Sequence, residues 1–450
     1  MVLHRWLPAL VTAVCLAPAP ARAQEPAPIV LETYSLPNGL KVILAPDRTT
    51  QVVAVDVWYD VGSRNETRGR TGFAHLFEHM MFQGSANVKK AEHFQLVERA
   101  GGNMNGSTSE DRTNYYEVLP SNRLNLGLWL EADRMRSLAI TDSNFTNQRE
   151  AVKEERRLRV DNQPYASSYF DGIYALADSA SCFPYAHSII GSMDDLNAAK
   201  TEDVQAFFDL YYTPNNAILT VVGDFDTAEA KRLIEQYFGE IPRGQTPPPV
   251  ECAPGYGAGA IRKAWPDPRA NLPGVLLAYR LPEASHADMP ALSLLAMIMG
   301  QGESSRINKR VVREKRLAQF AVTLPNPGGP RRGPGVLLTL AVANQGVSND
   351  SLEASLVAEF RQVVAEGVTA EELTKAKNSY RTQLITQRQE ALYKAETLQS
   401  ANLYLGGPDA VNTNWRRYLA VTVDDVKRVA GSFLRAENSL VLMITPGAVP

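Results

Sequence analysis

Gly72-Phe73-Ala74-His75-Leu76-Phe77-Glu78-His79-Met80-Met81-Phe82-Gln83-Gly84-Ser85 is the stretch on which the reading of this chain turns. If it is helical, His75 and His79 lie one turn apart, about 40° around the axis, and Glu78 projects beside them. Two imidazoles and a carboxylate then share a small volume, which is two zinc ligands plus a base for a water on the metal. H-x-x-E-H is the inverted counterpart of the H-E-x-x-H zinc motif. The plainer reading is a pair of surface histidines on a helix. The chain has only 6 His in 450 residues, so finding two of them one turn apart weighs against that reading.

Catalytic zinc takes three protein ligands and keeps one open position, so a third ligand must come from another element. Arg149 to Arg159 offers Glu150, Glu154 and Glu155 on an expected helix. Read by themselves, those carboxylates are equally at home in solvated salt bridges on a charged face. His93 follows Lys89-Lys90-Ala91-Glu92 and reads as a surface residue, and His187 and His286 have no partner at ligand spacing.

Outward from the motif, the first residues read as a secretory signal. Met1 to Arg5 are a basic start, Leu7 to Leu16 are mostly apolar, and Ala21-Arg22-Ala23 is a small-x-small cleavage site. Residues 1–23 are therefore expected to be removed after Ala23, giving an exported, periplasmic product. No later apolar run is long enough for a membrane span. Cleavage removes Arg5 and Arg22, so 44 Lys+Arg face 49 Asp+Glu and the net charge becomes 44 − 49 = −5. That balance, without a basic tract, excludes nucleic acid as a natural partner. Cys182 and Cys252 remain; export permits a disulfide between them, and two inert thiols are the alternative.

The remaining 450 − 23 = 427 residues exceed one typical core. Pro/Gly-rich composition marks residues 242–261 as a linker, between a domain at 24–241 and a related one at 262–450. Asp203, Val204 and Asn216 align with Asp425, Val426 and Asn438 at a constant offset of 222, as in a distant repeat. Each half reads as α+β. Strands are expected at Leu40–Leu44, Val52–Tyr59, Tyr115–Leu119, Ala217–Val222, Val275–Tyr279, Val336–Val342 and Ser439–Ile444. Helices are expected at Leu124–Ser137, Ser143–Val160, Leu352–Glu366 and Thr369–Ala391. The repeat places Ser293, Ala296 and Met297 opposite His75, Glu78 and His79, so the second half should bind no metal.

The stretch from Gly72 to Ser85 also resembles the H-x-x-E-H zinc peptidases of the pitrilysin and mitochondrial processing peptidase family. The likeness continues through Gly101-Gly102-Asn103-Met104-Asn105-Gly106-Ser107-Thr108-Ser109, Asp111, Thr113 and Tyr115-Tyr116. Further on it includes Tyr185, Ile190-Gly191, Ser304-Ser305-Arg306 and Arg313-Glu314-Lys315. The resemblance implies an α+β fold of two related domains, each a mostly antiparallel sheet packed against helices, together forming one half of a clamshell-like chamber. It implies that the third ligand is a Glu some 76 positions after the second His; 155 − 79 = 76 selects Glu155 over Glu154. One zinc ion per chain would then be held by His75, His79 and Glu155, with Glu78 as general base for hydrolysis of internal bonds of unfolded peptides. Asn105, Gly106, Ser107 and Thr108 would lie on an edge strand to which the peptide adds. Where the family often carries a further Glu seven positions before the ligand, this chain has Gln148. The family's site also draws an Arg and a Tyr from the opposite half, and Leu337 to Ser348 contains neither. A second, related subunit is therefore expected, as a heterodimer or alternatively a homodimer. The other functional class is a non-catalytic structural or peptide-binding subunit of the same fold.

Overall fold

Val52–Tyr59 is a β-branched run that alternates between two buried faces, and it becomes the centre of the first sheet. The computed structural model describes residues 25–172, 182–252 and 259–447. The expected signal segment, 1–23, lies outside them. Strands β1 (Glu32–Ser35), β2 (Lys41–Pro46), β3 (Val52–Tyr59), β4 (Asn103–Thr108), β5 (Thr113–Pro120) and β6 (Ala217–Gly223) form a sheet of order β1-β2-β6-β3-β5-β4. Strands β7 (Ile261–Asp267), β8 (Gly274–Leu281), β9 (Ala318–Pro325), β10 (Gly335–Ala343) and β11 (Ser439–Pro446) form a second, of order β7-β11-β8-β10-β9. Each sheet has one parallel pair, β2 with β6 and β7 with β11, and is otherwise antiparallel.

The described helices of the first half are α1 (Phe73–Met80), α2 (Glu92–Arg99), α3 (Leu124–Ser137), α4 (Asp142–Arg156), α5 (Met193–Ala198), α6 (Thr201–Tyr211) and α7 (Thr227–Phe238). Those of the second are α8 (Met289–Gly300), α9 (Asn349–Glu366), α10 (Ala370–Gln387), α11 (Ala391–Tyr404), α12 (Asn414–Ala420) and α13 (Val423–Phe433). The offset of 222 holds in three dimensions. It carries β3 onto β8 (52 + 222 = 274, 59 + 222 = 281) and α6 onto α13 (201 + 222 = 423). The detail repeats too: Asn216 Nδ2 donates to Tyr211 O at 2.8 Å, and Asn438 Nδ2 to Phe433 O at 2.7 Å.

One face of each sheet packs on its own helices, while the other is covered by the opposite half. Helix α11 lies on β3 and β6 of the first sheet, burying Ala391, Ala395, Leu398 and Ala401 against Ile43, Ala54 and Val222. Its run of alanines permits close approach, and Gln399 donates to Asp56 O and Ile218 O. In return, Tyr165 and Tyr169 pack on Leu276, Leu440 and Leu442 of the second sheet. Cys182 and Cys252 are joined in a disulfide, Cα atoms 4.9 Å apart. It closes 70 residues of chain, worth about 4 kcal/mol in the chain-entropy account.

One expected helix is divided in the structure. The helix expected over Thr369–Ala391 stops at Gln387, and a separate helix, α11, begins at Ala391. β1, β7 and β9 carry weak alternation and were not expected.

Candidate metal centre

Helix α1 owes its orientation to its sequence. Phe73, Leu76, Phe77 and Met80, spaced 3, 1 and 3 apart, are buried, which turns His75, Glu78 and His79 to the opposite, partly open side. Its N-cap is Gly72 at φ +86°, where a Cβ would stand 2.7 Å from Ile190 O. Glycine offers no capping side chain, so buried Glu66 does the work from outside the helix. Its carboxylate accepts from Gly72 N and Ala74 N, both at 2.8 Å. His187 fixes Glu66 in turn, Nε2 to Oε2 at 3.0 Å, so this histidine supports the helix rather than a metal.

Helix α4 starts on a Thr141 cap and brings Glu155 alongside α1 one residue before its end. Glu155 Oε2 lies 3.5 Å from His75 Nε2 and 3.3 Å from His79 Nε2, and Arg159 Nη1 takes Oε1 at 3.1 Å. One donor atom from each of the three lies within 4.8 Å of the others. Tetrahedral zinc with bonds of about 2.0–2.1 Å places neighbouring donors about 3.3–3.4 Å apart, so the donor set and its spacing fit zinc. Burial, then the neighbouring His79, push His75 down to about 4, keeping it neutral as ligation requires. Burial also works to lower His79, but the hydrogen bond and charge of Glu155 outweigh it and raise it. Gln148 adds a hydrogen bond to His79, so it occupies an orienting place without adding charge.

Glu78 is raised by burial, and a hydrogen bond from Thr108 partly offsets the shift. Thr108 Oγ1 donates to Glu78 Oε2 at 2.5 Å. Thr108 ends β4, which pairs with β5 on one side and forms the edge of the sheet. The hydrogen bond from Ser109 N to Arg112 O sets the alternation, so Ser107 and Asn105 turn their backbone groups to β5. Met104, Gly106 and Thr108 turn theirs outward. The outward N–H of Gly106 is taken by Asn105 Oδ1 at 2.9 Å, and a Cβ at Gly106 would meet the Tyr115 ring at 3.0 Å. Ser107 Oγ is bonded to Asn114 and Arg112 on the other face of the sheet.

His93 is not on the surface. It is buried, 3.2 Å from Glu117 Oε1, within a second cluster that includes Glu131. Arg134 already fills that cluster, with Nε on Glu131 at 2.9 Å and Nη2 on Glu117 at 3.3 Å. A resident guanidinium makes it an ion-pair network. The sequence had hidden this because the partners come from β5 and α3. The second half aligns Ser293, Ala296 and Met297 of α8 with the motif, and Ala296 is fully buried. Among the described residues, both potential ligand clusters lie in the first half.

Residues 41–178 match the profile of insulinase (peptidase family M16), and residues 198–380 that of the peptidase M16 inactive domain. A zinc protease of Helicobacter pylori, PqqE, is 32% identical over 92% of this chain and 93% of its own length. The chain belongs to peptidase family M16. The crystal structure of a protease from H. pylori superposes with a TM-score of 0.88 at 30% identity, covering 93% of this chain and all of the other. The beta subunit of the mitochondrial processing peptidase of Blastocladiella emersonii is 26% identical over 91% of this chain and 88% of its own. The periplasmic protease PqqL of Escherichia coli shares the fold, with a TM-score of 0.75 at 20% identity; the match spans 94% of this chain and 48% of that one. The profile named for an inactive domain runs from the end of α5 in the first half into α10 of the second, and both potential ligand clusters among the described residues lie outside it.

Proposed function

We propose that this chain is a zinc-dependent endopeptidase of extended peptides. The convergence of His75 Nε2, His79 Nε2 and Glu155 Oε2 beside Glu78 carries the reading. His75, His79 and Glu155 would hold the zinc, which would supply Lewis acidity to polarise the scissile carbonyl and make water nucleophilic near neutral pH. Glu78 accepts the proton of the attacking water and delivers it to the leaving amine. Thr108 occupies its Oε2, which leaves Oε1 for that proton. Burial strengthens the hold of Glu78 on a proton, which suits a group that must take one and return it.

The peptide adds to β4 through the outward backbone groups of Met104, Gly106 and Thr108, displacing Asn105 from Gly106 N. Extended chains are therefore favoured over folded ones. An intact donor set argues against a purely structural subunit.

The division into 24–241, a linker at 242–261 and 262–450 remains part of this reading, as does export to the periplasm after loss of 1–23. No described helix is long and apolar enough to cross a membrane. Removing metal with a chelator should abolish cleavage of a peptide library, and added zinc should restore it; cleavage that survives chelation would sink the reading. A second, related subunit completing the chamber is favoured as a heterodimer over a homodimer. Native mass spectrometry checks this: full peptidase activity in a homodimer of this chain alone would exclude the need for a different partner.

A further inference from the structure

The β4–β5 hairpin carries a cation that the peptidase mechanism leaves unused. Arg112 Nη1 donates to Ser107 O at 2.8 Å, Ser107 Oγ at 2.5 Å and Asn114 Oδ1 at 2.9 Å. Its guanidinium carbon lies 4.8 Å from the centre of the Trp58 ring. These contacts engage one nitrogen and one face of the group. Among the described residues Arg112 is in no ion pair, so Nε and Nη2 keep their donors. Two carboxylates lie nearby, Asp56 and Glu396, but Asn114 stands between. Its oxygen takes Arg112, while its Nδ2 faces Asp56 Oδ1 at 3.1 Å and Glu396 Oε1 at 3.0 Å.

The place of this guanidinium follows from the strand. Ser107 pairs with Asn114, and its side chain shares the sheet face of Asp56 and Trp58. A peptide residue added opposite Ser107 turns its side chain to that same face, toward Arg112. Its neighbours, opposite Gly106 and Thr108, turn toward Glu78. The residue facing Arg112 is thus within a residue or two of the scissile bond.

We infer that Arg112 is a specificity-determining residue that receives an acidic side chain, Asp or Glu, of the bound peptide. A guanidinium with two free N–H edges matches a carboxylate in a planar fork and repels a cationic side chain. The inference rests on the peptidase reading with β4 as the substrate strand.

A fluorescent peptide series scanned with Glu, Gln or Lys at each position near the cleaved bond tests it. Cleavage is measured with the zinc-loaded protein, and binding is measured by anisotropy with the Glu78→Gln variant. The native protein should prefer Glu over Gln at one position by about tenfold or more, in binding and KM rather than kcat. Arg112→Gln should erase that preference, Arg112→Glu should invert it toward Lys, and Arg112→Lys should restore part of it. No acidic preference at any position overturns the inference. So does an Arg112→Gln protein that is slower on all peptides alike, because that marks a structural role. Complete absence of zinc-dependent cleavage and of peptide binding overturns the peptidase reading and this inference with it.

Discussion

The carboxylate of Glu78 is held by one hydroxyl, in a partly buried place beside two imidazoles. Its role is separable from that of the ligands because it touches Thr108 rather than a donor atom. Glu78→Gln preserves the shape and removes the proton acceptor. It should lower kcat about 10²–10⁴-fold while the protein still binds one zinc, as measured by peptide turnover alongside metal analysis. Normal turnover would show that Glu78 is not the base. Much at this scale was legible beforehand, because i, i+4 spacing fixes two side chains on one helical face. Glu155 was different. Local sequence could not choose it over Glu154, and family spacing did. Thr108 is expected to contact the peptide; its hydroxyl is bonded to Glu78, while its backbone groups face outward from the sheet.

Helix α1 has eight residues, a glycine N-cap and no local capping side chain, so it is poorly held by its own sequence. Glu66 and His187 supply what it lacks, from positions 6 and 121 residues away from their partners. Glu66→Ala leaves the N–H groups of Gly72 and Ala74 without their acceptor inside the protein. It should cost about 1–3 kcal/mol of stability and weaken zinc affinity, measured by thermal unfolding and by metal competition. A variant with unchanged stability and unchanged zinc affinity would remove Glu66 from this role. Val52–Tyr59, a run of β-branched and aromatic residues, and Leu124–Ser137, rich in helix-forming Leu, Met and Arg, are plain in the sequence by composition. Elements defined by tertiary cover are not. The break at Arg388 lies in an otherwise helical run, where that side chain turns inward to Ala27 O and Val411 O.

The two halves hold one another by exchange, α11 on the first sheet and the segment around Tyr165–Tyr169 on the second. Between α11 and β3 lies a fully buried carboxyl, Asp56, raised well above its usual range by burial and then by Glu396. Charged and titratable neighbours are Glu396 from α11, Arg112 from the β4–β5 turn and Tyr116 from β5. The folded state keeps a proton that the unfolded chain releases, so this group's contribution is complete at acid pH. It is lost as pH rises from the ordinary carboxyl range through the raised folded value. Asp56→Asn should therefore raise the melting temperature at pH 8 and flatten its decline with pH, read by scanning calorimetry across pH 5 to 8. An unchanged slope would place the pH dependence elsewhere. The ion pair of Arg332 with Asp60 ties the β9–β10 loop to the end of β3 near the same hairpin, so this seam borders the β4–β5 edge of the sheet.

The sequence by itself determined the chemistry. Helical spacing places two imidazoles and a carboxylate together whatever surrounds them, and a repeat offset of 222 predicts two related sheets. Only the tertiary structure decided how that chemistry is supported. The cap on α1, the hydroxyl on Glu78, the buried His93 network and the cation on the β4–β5 hairpin all join residues distant in sequence or on different elements. Those pairings depend on which faces meet, and no local period records that.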